Sequence, residues 1–261
     1  MTWNLQPIPQ ISSEIELAAN ECNLVIFVGA GVSKLAGCPS WDEFANNALE
    51  QLAPRFITFS DVQQLSSLDA KKRLSIAHQI AEVNNYQFDF KALIEPKEKT
   101  SSKIYDYLNS IGCVYVTTNY DRFLDSPPTS IKNVVASDHG VSQTPATREL
   151  ICRAKQFKSS LLREPTRVIH LHGSIEDPES MIVTTANYLN HYNDTKVTDF
   201  LGELFETTTV LFIGYGLDES EILEQILRKG KCTSNQSRRK RFMLKGFYTY
   251  QESFFNHLAD Y

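Results

Sequence analysis

The chain lacks any apolar run approaching the roughly 18 residues that a membrane-crossing helix needs, so no membrane span is expected. It also lacks paired cysteines: Cys22, Cys38, Cys113, Cys152 and Cys232 are scattered, and no two form a C-x-x-C pair. An odd, scattered set argues against a disulfide framework and against a cysteine zinc ribbon, leaving five reduced, mostly buried thiols as the expectation. His78, His139 and His257 have no metal-ligand spacing, and no metal site is expected. Met1-Thr2-Trp3-Asn4-Leu5 carries no positive patch followed by an apolar stretch, so a secretory signal is not expected and a cytoplasmic location is the default. Excess positive charge is absent too. The net charge of −5 excludes broad electrostatic binding to nucleic acid, and the basic run Arg238–Arg241 reads as a solvated loop.

What is present is an ordinary globular composition, with 42% apolar and 22% charged residues. The 261 residues suffice for one large domain, or for a core domain with a substantial insertion. Ser12 or Ser13 can cap a short first helix. Asn23–Val28 is a continuous apolar run that ends in Gly29-Ala30-Gly31, which suits a central strand of a parallel sheet. Trp41–Leu52, Ser67–Val83 and Ser101–Ser110 read as helices, so residues from about 42 to 110 form a helical insertion. Strand signals return at Cys113–Thr117, Val134-Val135, Arg167–Leu171, Met181–Val183 and Thr209–Ile213. Asp218–Arg228 reads as a helix with acids in its first turn, Phe242–Leu244 as a last strand and Tyr250–Asp260 as a last helix. Alternation of this kind predicts an α/β domain, a Rossmann-like parallel sheet with helices on both faces. The whole chain is expected to be one such domain and the N-terminal part of a longer protein.

Gly29-Ala30-Gly31-Val32-Ser33 follows the first strand directly and enters a polar, helical segment. Glycine permits a tight turn and close approach of backbone to a ligand, and free amides at a helix start suit a phosphate. Alone, G-x-G also fits a strand–helix turn with no ligand. Hydride-transfer enzymes need a third glycine at position 34, which is Lys34, and an acid ending a second strand about 20 residues on. The G-K-[ST] of a phosphate-binding P-loop is missing as well.

Four segments occur in order: Gly29–Ser33 with Gly37-Cys38-Pro39-Ser40-Trp41, Thr117-Thr118-Asn119-Tyr120-Asp121, His170-Leu171-His172-Gly173-Ser174, and Phe212-Ile213-Gly214-Tyr215-Gly216-Leu217-Asp218. Together they span about 190 residues, and the set resembles the sirtuin family, in detail its prokaryotic sirtuin-like branch of anti-phage defence systems. The resemblance implies an NAD site in which Gly29, Ala30, Gly31, Val32 and Ser33 meet the diphosphate and nearby ribose. It places Asn119 and Asp121 near the nicotinamide half and His172 against the nicotinamide ribose, and counts Pro39, Trp41 and Thr118 among the NAD-binding residues. Gly214, Tyr215, Gly216 and Asp218 would line the adenosine half. The two cysteine pairs of protein-deacetylating sirtuins are absent, Ser40-Trp41-Asp42 replaces the family's phenylalanine-arginine, and no peptide-pairing segment follows His172. The resemblance therefore implies cleavage of NAD as a substrate, without zinc and without deacylation.

The reaction implied is hydrolysis of the nicotinamide–ribose bond, giving nicotinamide and ADP-ribose. Neutral nicotinamide leaves a cationic pyridinium without acid assistance, so a site needs mainly to stabilise an oxocarbenium-like ribose and place a water. Asn119 offers a donor and an acceptor without adding charge. His172, with a reference pKa of about 6.5, can accept a proton, and Asp121 is expected in a supporting role. The competing reading of Asn119 and Asp121 is an Asx turn after a strand. His170 and His172 alternate, so one of them is a core histidine. Tyr188, Asn190, His191 and Tyr192 form a polar-aromatic cluster for which covering the site is one reading, and surface and packing residues the preferred one. The family implies control of so destructive an activity by homo-oligomerisation or by a partner: an ATPase or translocase, a short Argonaute or a nucleotide-sensing domain. Two other functions compete, a non-catalytic NAD- or ADP-ribose-binding module and a protein deacylase or ADP-ribosyltransferase.

Overall fold

Leu24–Val28 forms the first strand, β1, and all five of its side chains are buried. A strand apolar on both faces must lie inside a covered sheet, and it does. The computed structural model describes residues 11–96, 102–125, 148–216, 219–230, 241–244 and 246. In chain order they form α1 (Ser13–Asn20), β1, α2 (Ala30–Leu35), α3 (Trp41–Leu52), α4 (Phe59–Leu65), α5 (Ala70–Val83), α6 (Phe90–Ile94) and α7 (Ile104–Ile111). There follow β2 (Val114–Thr117), β3 (Val168–His170), α8 (Thr185–Asn193), α9 (Thr195–Thr207), β4 (Thr209–Ile213), α10 (Ser220–Gly230) and β5 (Arg241–Leu244), with three short 3-10 turns between β2 and α8.

The five strands are all parallel, in the order β3-β2-β1-β4-β5. The order reverses at β1, so the crevice beyond the carboxyl ends of β1 and β4 is the topological switch point where open α/β sheets bind ligands. This is the Rossmann-like arrangement with helices on both faces that the strand–helix alternation predicts. Side chains alternate across β1: Val25 and Phe27 pack with Phe200, Leu201, Leu204 and Phe205 of α9, while Ile26 and Val28 pack with Val32, Tyr105 and Leu108 of α2 and α7. A separate apolar cluster joins α3, α5 and α6 through Phe44, Leu49, Leu52, Leu74, Ala77 and Leu93, and takes in Tyr120, Met181 and Val183 from the sheet body.

Several helix starts are written in the local sequence. Ser12 caps α1 by accepting from the Glu14 amide. Ser40 caps α3 in a reciprocal pair, its amide donating to Glu43 Oε2 over 2.7 Å and its hydroxyl accepting from the Glu43 amide. Asp69 caps α5, whose first residue, Ala70, lies three residues after Ser67, where the sequence-predicted helix begins.

Four expectations need correction. Met181–Val183 is not a strand; it is extended chain whose Met181 and Val183 side chains fill the helical cluster, which explains its apolar character. Arg241 is not in a solvated loop but in β5, donating to the Phe205 carbonyl over 2.8 Å beside the Phe205 ring. For the cluster on α8 the packing half of the reading holds and the surface half does not, since Tyr188 and His191 are buried. α7, the third of the helices read in the insertion, packs on the sheet rather than with α3, α5 and α6. The Val134-Val135 strand, the helix over Tyr250–Asp260, Asp218, His139, His257, Cys232 and Arg238–Lys240 lie outside the described residues.

Candidate active site

Two glycine turns lie back to back at the switch point. The Gly29 amide donates to the Ile213 carbonyl over 3.0 Å, and the Gly31 amide to the Gly214 carbonyl over 2.8 Å. A Cβ on Gly31 would stand 2.8 Å from the Gly214 carbonyl oxygen, and one on Gly214, whose φ is +63°, would stand 2.6 Å from the Val32 nitrogen. The glycines are thus demanded by the approach of one loop to the other. Their amides serve that contact, not the free phosphate cradle that the strand–turn–helix pattern suggests.

The turn after β2 is fastened to the turn after β1. Thr117 Oγ1 donates to the Val28 carbonyl over 2.8 Å and accepts from the Asn119 amide over 3.0 Å. Asn119 Nδ2 donates to the Gly29 carbonyl over 3.0 Å. The Asx-turn reading holds for Asp121, whose Oδ1 accepts from the Phe123 amide over 3.1 Å. Asp121 Oδ2 accepts from Ser33 Oγ over 2.5 Å and from the Tyr105 hydroxyl over 3.2 Å. Burial pushes the Asp121 carboxyl above its ordinary range, against the pull of Ser33 and the Phe123 amide.

These residues border a cleft of about 410 Å³, its open mouth included, lined by Ala30, Ser33, Cys38, Pro39, Ser40, Trp41, Phe44, Ile94, Thr118, Asn119, Tyr120 and Asp121. Seven residues named from the sequence meet there: Ala30, Ser33, Pro39, Trp41, Thr118, Asn119 and Asp121. Tyr120, Phe44 and Ile94 were not anticipated. The last two come from α3 and α6, so the helical layer supplies one wall, which a local motif cannot reveal. The Trp41 ring stands edge-on to Tyr120 at 5.9 Å. Cys38 is no nucleophile: burial and the Asp121 charge push its thiol up to about 12.

The other expected residues lie elsewhere. Val32 is buried against the sheet. Tyr215 is buried in the main core, its ring 4.9 Å from Phe27. Gly29, Gly31 and Gly214 form the loop contact, and Gly216 is exposed.

His172 is fully buried and is not part of the cleft lining. Its Nε2 lies 2.7 Å from the Tyr192 hydroxyl and 3.6 Å from Glu219 Oε2, and its Nδ1 lies 3.4 Å from the Tyr188 hydroxyl. Burial, with His191 and Lys71 adding to it, holds His172 well below the usual histidine range, so it is neutral. Tyr120 links this compartment to the cleft. It lines the cleft, its hydroxyl donates to the Ile182 carbonyl over 2.6 Å, and the Ile182 amide donates to the His172 carbonyl over 2.9 Å. The aromatic pair Tyr188 and Tyr192, four residues apart on α8, encloses the imidazole. The i, i+4 spacing was the available signal.

His170 is the core histidine of the alternating pair. Its Nδ1 lies 3.2 Å from the Asn119 carbonyl and its Nε2 2.9 Å from Asp125 Oδ1. Burial opposes its charge, but Asp125, through a hydrogen bond and its own charge, raises His170 above its ordinary value.

A five-stranded parallel sheet whose order reverses at a glycine turn, covered by helices on both faces, defines a doubly wound, Rossmann-like α/β domain. Comparison with known proteins gives its family: the SIR2-like domain model matches residues 113–256, more than half of the chain, and the protein belongs to that family. It is 23% identical over 216 residues to defense-associated sirtuin 2 of Bacillus subtilis, covering 80% of this chain and 19% of that protein. It is 20% identical over 226 residues to the NAD(+) hydrolase ThsA of Bacillus cereus (strain MSX-D12), covering 86% of this chain and 43% of that protein. To the NAD(+) hydrolase ThsA of Cytobacillus dafuensis it is 25% identical over 248 residues, covering 92% and 44%. The chain therefore spans less than half the length of these relatives. Among the described residues no group of three or more His, Cys, Asp or Glu side chains could hold a metal ion, and no helix is long and apolar enough to cross a membrane.

Proposed function

We propose that this domain hydrolyses NAD at the nicotinamide–ribose bond, releasing nicotinamide and ADP-ribose, as a regulated NAD-depleting effector of anti-phage defence. The observation that carries the reading is the convergence of Ser33, Asn119 and Asp121 on one cleft at the carboxyl ends of β1 and β2. The names of the relatives, NAD(+) hydrolase and defense-associated sirtuin, support it. Asn119, anchored through Nδ2, turns its remaining polar capacity toward a ribose hydroxyl or the attacking water. Asp121, held by Ser33 and Tyr105, accepts from the nicotinamide carboxamide, while Trp41, Pro39 and Tyr120 exclude bulk water around the cationic ring. Water then adds at the anomeric carbon as nicotinamide leaves with the bonding electrons. His172 accepts the proton of the water, which requires that Tyr188 of α8 give way.

Enclosure of His172 favours a second reading, a domain that binds NAD and stays silent until a homo-oligomer or partner opens it. A translocating ATPase, an Argonaute or a sensor domain would serve, and the extra length of the relatives leaves room for such control. A deacylase is disfavoured because no C-x-x-C pair is present to build the zinc module of that branch.

The test is to incubate the purified protein with NAD and measure nicotinamide by chromatography, beside Asn119→Ala and His172→Ala. Release by the wild type and loss in both variants is expected. Tight NAD binding without release supports the silenced state, and no binding at all overturns the NAD site.

A further inference from the structure

Glu219 stands at the start of α10 with only 17% of its side chain exposed. It faces a set of side chains drawn from six separate parts of the fold. From the turn after β3, His172 Nε2 lies 3.6 Å from Oε2. From α8, the Tyr192 hydroxyl lies 3.5 Å from the same oxygen and 2.7 Å from His172 Nε2. The turn after β4 brings the Tyr215 hydroxyl as a further hydrogen-bond donor, α5 brings the positive charge of Lys71, and α10 itself brings Glu221. Tyr120 and Tyr188 face the same carboxyl from the turn after β2 and from α8. Lys71 is placed by its 3.3 Å ion pair with Glu221 and by lying 3.7 Å over the Tyr188 ring.

The two ring nitrogens of His172 are unequal. Nε2 makes a short contact to Tyr192, on the Glu219 side, whereas Nδ1 makes only a long contact to Tyr188. A carboxylate beyond a bridging hydroxyl favours the tautomer with the proton on Nε2, which leaves Nδ1 as the acceptor. We propose that Tyr192 and Glu219 are positioning residues for His172, a relay that holds Nε2–H toward Tyr192 and carries the proton gained at Nδ1 away to the Glu219 carboxylate.

This inference rests on the reading of the site as an NAD-cleaving centre. In the step, an O–H bond of the attacking water breaks and its proton goes to Nδ1, while the water oxygen bonds to the anomeric carbon. The C–N bond breaks and nicotinamide takes its electron pair. The Nε2 proton passes to the Tyr192 oxygen, the Tyr192 proton passes to Glu219, and Glu219 releases it to solvent; after product leaves, loss of the Nδ1 proton to water and return of one proton to Nε2 through Tyr192 restore the starting tautomer. Net, one proton is produced for each NAD hydrolysed, and no oxidant or second substrate is required.

The relay works only while Glu219 is ionised. Burial pushes its carboxyl up to about 7, against the pull of Lys71 and of the Tyr215 and Tyr192 hydroxyls. Nicotinamide release by the wild type should therefore rise with pH through that value and then level off. Glu219→Gln should abolish the rise and lower the plateau on the order of 100-fold, with NAD affinity measured by calorimetry unchanged. Glu219→Asp should keep the rise with a lower plateau, and Tyr192→Phe should reduce kcat while its melting temperature shows the fold intact. Equal rates and an equal profile in Glu219→Gln would overturn the relay. Loss of folding in that variant leaves the decision to Tyr192→Phe, where an unchanged kcat overturns it. Should the wild type release no nicotinamide, NAD binding decides the reading of the site, and nitrogen NMR of the histidine rings decides the relay separately. His172 protonated on Nε2 supports it; His172 protonated on Nδ1 overturns it.

Discussion

Asn119 Nδ2 donates to the main-chain carbonyl of Gly29 across 3.0 Å, joining two strand ends that are 90 residues apart in sequence. The bond ties the glycine turn after β1 to the Asn–Asp turn after β2, so the floor of the cleft is a single hydrogen-bonded unit. Asn119 is thus a structural clamp as well as a candidate catalytic group.

Asn119→Ala should for that reason lose stability as well as activity. The Gly29 carbonyl still accepts from the Val32 amide at 3.1 Å and is not left bare, so the cost is that of one hydrogen bond, about 1 kcal/mol. A fall of about 2–4 °C in melting temperature is expected for a domain of this size. Thermal unfolding measures it, and a variant melting with the wild type would show that the clamp contributes nothing.

The glycine loops make a sharper demand. Gly214→Ala places a methyl 2.6 Å from the Val32 backbone nitrogen at a φ of +63°, so the penalty combines strain with a clash that backbone cannot relieve by a rotamer change. About 2 kcal/mol or more is expected. Gly112→Ala is the control, because its φ is +72° but no atom lies within 4 Å of the added methyl. Denaturant unfolding of both variants should show the larger loss at Gly214, and equal losses would rule out the close approach as the reason for glycine there.

The buried pair beneath Asn119 gives a pH-dependent signature. His170 is raised above its ordinary value by Asp125, so the folded state holds the proton more tightly than the unfolded chain. The stabilisation is complete below about pH 6.5 and is lost as pH rises through the folded-state value. Asp125→Asn should cost roughly 3 kcal/mol at pH 6, where it strands a buried cation, and less at pH 9. Melting curves at the two pH values test this, and a gap that does not narrow at high pH would show that the pair is not an ion pair.

Local sequence carried a good deal of this protein. The run Leu24–Val28, apolar at every position, suited a central strand of a parallel sheet, and Trp41–Leu52 read as a helix with the bounds that α3 has. α8 and α9 were not legible: α8 is polar in composition, with Asn187, Asn190 and Asn193 along it, and its buried aromatic residues find their partner only in His172. Met181–Val183 misled for a related reason. An apolar triplet reads alike whether it pairs in a sheet or packs against helices.

The cleft residues divide in the same way. Ordered motifs were enough to single out Ser33, Pro39, Trp41, Asn119 and Asp121, because each sits next to a strand end or glycine turn whose signal is local. Only the tertiary structure decided that Gly31 and Gly214 serve each other, that His170 rather than His172 lies behind Asn119, and that His172 shares its enclosure with Tyr192 and Glu219. Those are contacts between chain segments tens of residues apart, set by the order β3-β2-β1-β4-β5. No window of sequence contains both partners, so only the packed sheet can bring them together.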